Sequence, residues 1–473
     1  MSLTRKIAHN TIIQTTGKVI GTLLGLVTVG FITRYLGKEG FGHYTTIIVF
    51  LQFFAIFVDM GLYLIVIKYI TDPKLDPEHA LGNIFTLRFF SAIALLGLAP
   101  IVVVFFPYPA LVKWGVALTS LSFLFVLLNQ ALLGIFQKHL ATYKPALAEV
   151  LGRLVLLGVT LAAIYTHQNI LGLMSAVVAS SFVTFITTFW FAKKYVRIRF
   201  MFDFAFWLKI LRDTWPVALS IMFNLVYFKA DTVILSLIKP AADVGIYGAT
   251  FKVLEVLTTF PAMFAGIMTP LLNEAWAEQK LVDFKHYLQQ GFNFLVMVSV
   301  PLIFGTLVLG RPVMILVSGA EFATAGSVLK VIIFATAAIF IGNLFGNTIV
   351  AVHKQRSMVK MYAIVAVVSL IGYLILIPRY SYYGAAVMTV VSEVSIMLAA
   401  MITVLRTTHI RLSYLIAFKA GGASLVMALI LYLMRDIHVL ILLPVAFVVY
   451  GLALYAFRGF TKATVREILR LPT

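Results

Sequence analysis

Apolar runs about twenty residues long follow one another along almost the whole chain, and this pattern limits the fold more than any other feature. A helix rises ~1.5 Å per residue, so ~20 predominantly apolar residues cross the hydrocarbon core of a bilayer. Inside that core every backbone amide must find its partner within the protein, and runs of this length satisfy the requirement as helices. Charged residues and Pro or Gly breaks divide the sequence into fourteen such segments: 10–35, 43–70, 81–106, 110–137, 145–165, 170–191, 214–238, 244–272, 284–309, 326–352, 358–377, 383–405, 412–434 and 439–457. The stretch 312–318 reads as a short re-entrant or interfacial piece before the tenth segment. With 62% hydrophobic and 12% charged residues, a chain of 473 residues has too little polar surface to stay in solution.

Several chemistries find no support. There is no cysteine, which removes disulfides, thiolate metal sites and thiol nucleophiles. The nine histidines are scattered and form no two-histidine helical motif with a glutamate, so neither a metal nor another cofactor is expected. A membrane-embedded polymerase or ligase would need a sizeable outer loop carrying catalytic residues, and every loop here is short. A non-enzymatic chain is therefore expected. Residues 1–6 are basic, but the apolar run behind them is too long for a cleaved signal and is read as a retained first span.

Charge sets the expected orientation. The net charge is +19. An even number of spans puts both termini on one side, and that side carries 24 of the 37 Lys and Arg residues against 7 on the other. The positive-inside bias then makes both termini cytoplasmic, in a cell (inner or plasma) membrane. The longest break, 193–216, mixes Lys193, Lys194, Arg197, Arg199, Lys209 and Arg212 with Tyr195, Phe200, Phe202, Phe204, Phe206 and Trp207. Such a mixture suits an amphipathic helix in the cytoplasmic headgroup layer.

That linker separates two related halves. Phe41-Gly42-His43-Tyr44 recurs as Val244-Gly245-Ile246-Tyr247, an offset of 203, and the stretch from Gly172 to Val178 recurs from Gly384 to Val391. Gln137-Lys138 and Lys354-Gln355 follow the fourth and tenth segments. The expected fold is an all-α polytopic membrane protein of about fourteen transmembrane helices: two six-helix lobes related by a parallel repeat, plus two C-terminal helices. Its divisions are 1–192, the linker 193–213, 214–406, and 407–473 with a cytoplasmic tail. Parallel repeats around a central cavity suit alternating access by lobe rocking.

Charges within spans are costly and therefore informative. Lys18, Asp59, Arg88, Glu149 and Arg153 fall in the half of the bilayer nearer the N-terminus. Glu149 and Arg153, four apart, share a helix face. Lys18 and Arg88 either snorkel or line a cavity, and the Glu149–Arg153 pair is either structural or part of that cavity. Lys229 and Asp231 in the seventh segment and Lys252 and Glu255 in the eighth lie at one depth in the other half. They form either a lumen-facing site or a structural ion-pair cluster. Lys330 lies near the outer end of the tenth segment. Glu393 has no partner nearby in sequence and, with Asp59, is a candidate coupling group. Gly17, Gly21 and Gly25 form a smooth strip for close helix approach.

At this point the sequence resembles a known family. Arg34-Tyr35-Leu36-Gly37-Lys38-Glu39-Gly40-Phe41-Gly42-His43-Tyr44, then Asp59-Met60-Gly61-Leu62, is similar to the N-terminal signature of polysaccharide flippases of the multidrug/oligosaccharidyl-lipid/polysaccharide exporter superfamily. Ala230 to Leu235, Val244 to Tyr247, Lys252 to Glu255 and Met268 to Leu271 agree. The resemblance implies two six-helix bundles with a cationic lumen, flipping a polyprenyl-(di)phosphate-linked oligosaccharide. It implies Asp231, Lys252 and Glu255 as lumen charges with Lys229 beside them, while Lys18, Arg88 and Arg153 rest on placement alone. Membrane lipids and polysaccharide polymerase or glycosyltransferase machinery are the implied partners, and nucleic acid is not. Lipid II flippases share the fourteen-helix plan, whereas multidrug exporters of the superfamily usually have twelve helices.

Overall fold

The computed structural model describes residues 3–460. Lys462, Arg466, Arg470 and Thr473 of the expected tail, and the side chains of Arg5 and Lys6, lie outside what is described. Fourteen α-helices run in order: α1 (Leu3–Asp59), α2 (Leu62–Thr71), α3 (Pro77–Val102), α4 (Ala110–Lys138), α5 (Tyr143–Tyr165), α6 (Ile170–Ala192) and α7 (Phe204–Ile238). There follow α8 (Ala241–Ala277), α9 (Leu281–Ser318), α10 (Ala325–Ala351), α11 (Gln355–Tyr380), α12 (Tyr382–Thr408), α13 (Leu415–Leu433) and α14 (Val439–Ala456). Thirteen are long and apolar enough to span a membrane.

The first of these thirteen, Ile13–Asp59, has 47 residues. Drawn straight it would reach ~70 Å, more than twice the ~30 Å of a hydrocarbon core. It is not straight, because Gly37 turns the chain with φ 62° and ψ −172°, a conformation that glycine alone enters cheaply. Its length thus accommodates two crossings, the second continued by α2 after a break at Met60 and Gly61. With α1 counted twice, the described residues have room for the fourteen crossings that the hydropathy pattern predicts.

Five helix ends share one local rule. Leu140, His167, Gln279, His353 and Arg458 take left-handed φ values just beyond α4, α5, α8, α10 and α14. The amide after each reaches back five residues to a helix carbonyl, as from Ala141 to Phe136 (2.8 Å) and from Lys354 to Ile349 (3.0 Å). This closure satisfies carbonyls that would otherwise end the helix unpaired.

The chain divides between Gly248 and Ala249 into two compact units. In the first, α3 packs on α4, α4 on α6, and α5 on α6; in the second, α9 packs on α10, α10 on α12, and α11 on α12. The same pairing pattern displaced by six helices is the repeat in three dimensions. Gly172 and Gly384 both stand at the third position of their helices, α6 and α12. The two C-terminal helices join the second unit through α9. Around α9 a core gathers Phe284, Leu288, Phe292, Leu295, Phe340, Leu344 and Phe345. Outward surfaces are apolar as well: Leu440, Ile441, Phe447 and Leu452 on α14 are exposed, as suits a helix facing lipid.

Two local expectations are revised. The stretch 312–318 is no re-entrant piece but the end of α9, helical through Pro301 and Pro312. The linker is not one amphipathic helix. Residues 197–203 are neither helix nor strand, and helix begins only at Phe204, where the Asp203 side chain caps the Phe206 amide at 2.9 Å. Further along this helix, before its spanning part, Asp213 accepts hydrogen bonds from Lys68 Nζ and Tyr69 Oη, both 2.9 Å. The Lys68 bond, then the Tyr69 bond, hold its carboxyl below the usual carboxylate range.

A candidate substrate-binding cavity

Within the first unit, α1, α4, α5 and α6 enclose a cavity of about 620 Å³. Its charged lining is Lys18, Glu149 and Arg153, and the rest includes Gln14, Asn129, Gln130, Gln137, Ser122 and Thr184. Each wall follows from local sequence. Along α4, Val126, Gln130, Leu133 and Gln137 recur every three or four residues, which puts two amides on the stripe facing inward. Along α1 the glycine strip meets α5: a Cβ on Gly17 would lie 3.3 Å from Ala146 Cβ, and one on Gly25 would lie 3.5 Å from Arg153 Nη1. Close approach therefore lets the Arg153 guanidinium rest against α1. Glu149 and Arg153 pair at 3.7 Å while each stays close to half exposed, so the pair faces the cavity.

A second cavity of about 300 Å³ shares Tyr63, Phe123, Val126 and Gln130 with the first. It adds Gln52, Asp59, Asn224 and Lys229. Behind it lies Arg88, whose side chain is wholly buried. Arg88 is ion-paired with Asp59, and its Nη2 donates to Gln130 Oε1 at 3.1 Å. The two cavities are thus neighbours with a shared wall, Lys18, Glu149 and Arg153 lining the first and Asp59 and Lys229 the second.

At the end of the bundle away from the N-terminus, the two copies of the repeated glycine–tyrosine motif meet. A Cβ on Gly42 would collide with the carbonyl of Ala241, and one on Gly245 with the carbonyl of Lys38. Lys38 and Ala241 occupy equivalent places at the 203-residue offset, so the contact is reciprocal. Thr45 and Gly248, also equivalent, face each other, with 3.1 Å from Thr45 Cβ to the place of a Gly248 Cβ. Two helix starts come this close only if neither carries a side chain at the crossing.

Comparison with known proteins fits this architecture. A family model described as polysaccharide biosynthesis protein matches residues 7–276, over half of the chain. The chain belongs to the polysaccharide biosynthesis protein family. A second model, MatE, matches residues 216–375. The capsular polysaccharide biosynthesis protein CapF of Staphylococcus aureus is 23% identical over 231 residues, 48% of this chain and 58% of CapF. The chain therefore spans a little over half the length of that relative. Among solved structures, the lipid II flippase MurJ in an inward closed conformation superposes with a TM-score of 0.78 at 15% identity, over 97% of this chain and 100% of MurJ. An inward-facing multidrug resistance MATE family transporter of the MOP superfamily gives 0.67 at 14% identity, over 84% of this chain and 97% of that one. At such identities the likeness establishes the fold alone, that of an all-helical, multi-pass membrane protein.

In this polysaccharide biosynthesis protein the remaining expected residues are distributed as follows. Asp231 is fully buried and accepts bonds from Tyr247 Oη and from the Thr232 amide and hydroxyl. It ties α7 to the start of α8 and lines neither cavity. Lys252 and Glu255 belong to the second unit, where they pair at 2.7 Å with about a third of each side chain exposed. Glu393 is buried on α12 beside Ser392 and Thr389. The second unit also holds an apolar cavity of about 400 Å³ among α8, α9, α10, α13 and α14, lined by Val253, Leu302, Met427, Phe447 and Tyr450 among others. Among the described residues no group of three or more His, Asp or Glu could hold a metal. Sequence reasoning by charge missed Gln14, Asn129, Gln130, Gln137 and Asn224. The available signal was the seven-residue spacing of Gln130 and Gln137 within an apolar helix.

Proposed function

We propose that this protein flips a polyprenyl-(di)phosphate-linked oligosaccharide from the cytoplasmic to the outer leaflet of the plasma membrane by alternating access. One observation carries the reading: a family member of polysaccharide biosynthesis with a polar cavity among its spanning helices, lined by Lys18, Arg153 and a set of amides. A phosphate cannot enter hydrocarbon bare, and guanidinium and ammonium groups in a hydrated cavity replace its water through charge-assisted hydrogen bonds. Amides and hydroxyls suit the sugar hydroxyls, which donate and accept alike. In this reading 1–192 and 214–406 are the moving lobes, joined by 193–213 and followed by 407–473. Lys18, Arg88, Arg153, Lys229, Asp231, Lys252 and Glu255 serve substrate handling, directly or by holding the site. Asp59 and Glu393 are the groups proposed to couple an ion, and glycan polymerase or transferase machinery is the proposed partner.

The test uses a strain lacking the gene, complemented with variants, with lipid-linked sugars assayed in each leaflet. Arg153→Ala should lower flipping ~10- to 100-fold, the worth of one or two charge-assisted bonds, at unchanged protein level. Arg153→Lys should keep part of it. Flipping per molecule unchanged in Arg153→Ala and in Lys18→Ala would overturn the role of the cavity. The likeness to MurJ favours lipid II as the second reading. Rescue of a strain depleted of its lipid II flippase, with no lipid-linked oligosaccharide accumulating in the deletion strain, would decide for that alternative.

A further inference from the structure

The non-helical strap after α6, residues 197–203, builds a second kind of site, apart from the two polar cavities. Its backbone is held on α3 by side chains rather than by a sheet. Asn83 Oδ1 accepts from the Asp203 amide at 2.8 Å and from Trp207 Nε1 at 3.0 Å, while Thr86 Oγ1 accepts from the Met201 amide at 2.9 Å. Asn83 and Thr86 are themselves fully buried. Gly82 lets the strap cross, since a Cβ there would come within 2.8 Å of the Arg199 carbonyl oxygen.

Fixed in this way, Ile198, Arg199 and Phe200 close one side of a slot of about 320 Å³ between α3, α4 and α6. Its other walls are Phe85 and Phe89, Leu124, Phe125 and Leu128, and Phe185 and Phe189. Arg199 is the only charged residue of this lining. Lys193 stands at the rim, its ammonium 5.0 Å from the centre of the Phe189 ring. Phe189 lies three residues before the end of α6, ~4–5 Å from it, so this wall of the slot reaches to within one turn of the helix end. Arg197 and Lys194, both exposed, extend the positive charge along the strap. A hydrocarbon slot with cations at its mouth, at the depth where acyl chains meet headgroups, is complementary to an anionic amphiphile.

We propose that this slot binds one anionic glycerophospholipid of the adjoining leaflet, with an acyl chain among Phe85, Phe125, Phe185 and Phe189 and its phosphate held by Arg199 and Lys193. A zwitterionic lipid carries its own cation beside the phosphate and gains less from this rim. The volume falls at the low end of the ~300–1,000 Å³ of small-molecule sites, room for part of one chain. The inference stands apart from the transport reading, because it shares no residue with the two polar cavities.

Native mass spectrometry of the full-length protein released from nanodiscs provides the test, with phosphatidylglycerol and phosphatidylcholine of matched chains as probes. Wild type should retain phosphatidylglycerol in preference to phosphatidylcholine. Arg199→Ala with Lys193→Ala should weaken the phosphatidylglycerol signal ~10- to 100-fold, the effect of losing two charge-assisted contacts at a solvated rim. Leu128→Trp, which fills the slot and leaves every cation in place, should weaken it as well. Normal retention in Leu128→Trp would overturn the proposal, since the cations alone would then suffice. Equal retention of the two lipids by wild type would overturn it too, as would displacement of phosphatidylglycerol by equimolar polyprenyl phosphate, which would assign the slot to a carrier lipid.

Discussion

Removing the Asp59 carboxylate would leave the Arg88 guanidinium wholly buried with Gln130 as its remaining polar contact among those described. Breaking such a pair on one side costs about 3–5 kcal/mol, because a charge stays desolvated without compensation. Replacing both partners with apolar groups of similar size is often neutral or stabilising. Asp59→Asn should therefore lower the thermal midpoint in detergent well below wild type, while Asp59→Leu combined with Arg88→Met should recover most of the loss. If the single and double variants melt together, the pair is not what holds α1 to α3 and α4. At this scale the sequence was partly legible. Arg88 and Asp59 announce themselves as charges in spans, and Glu149–Arg153 by their spacing of four. Their surroundings were not legible, because Gln130 comes from α4, 42 residues from Arg88.

Among the elements, the reciprocal contact between α1 and the start of α8 is open to a clean chemical test, since the chain has no cysteine of its own. Thr45→Cys with Gly248→Cys places two thiols where the Thr45 Cβ and a Cβ at position 248 are 3.1 Å apart. A disulfide prefers ~3.5–4.5 Å between Cβ atoms, so a few tenths of an ångström of relaxation suffices. Oxidation should cross-link the pair nearly completely, stop transport, and release it again on reduction. Transport that continues in the cross-linked protein would mean that this crossing stays closed throughout the cycle. The tight crossing was legible only as a repeated motif. That the two copies touch each other follows from the turn at Gly37 and the short connection between α7 and α8, which no periodicity encodes. The strap failed as an expected helix for a related reason. Its amides find partners in Thr86 and Asn83, over a hundred residues earlier in the chain.

On the scale of the whole molecule, the asymmetry of Lys and Arg makes a topological prediction. Reporter fusions at Thr473 and within 193–212 should both report the cytoplasm, and fusions at Lys239 and Arg379 the outside. An extracellular Thr473 would mean an odd number of crossings. The sequence by itself determined the class, the number of spans and their near boundaries, because hydrocarbon imposes one rule on every segment: about twenty apolar residues with their backbone bonds made internally. It also determined the internal repeat, since equivalent helices need equivalent small residues at their starts. The tertiary structure alone decided which charges share a cavity. Lys18, Glu149 and Arg153 meet across α1 and α5, and Asp59 and Lys229 border a cavity that shares Gln130 with theirs, whereas Asp231 is spent on Tyr247 and Thr232. The physical reason is that insertion constrains each helix separately, while a cavity is made where several helices fail to fill the space between them, and that depends on packing between residues far apart in the chain.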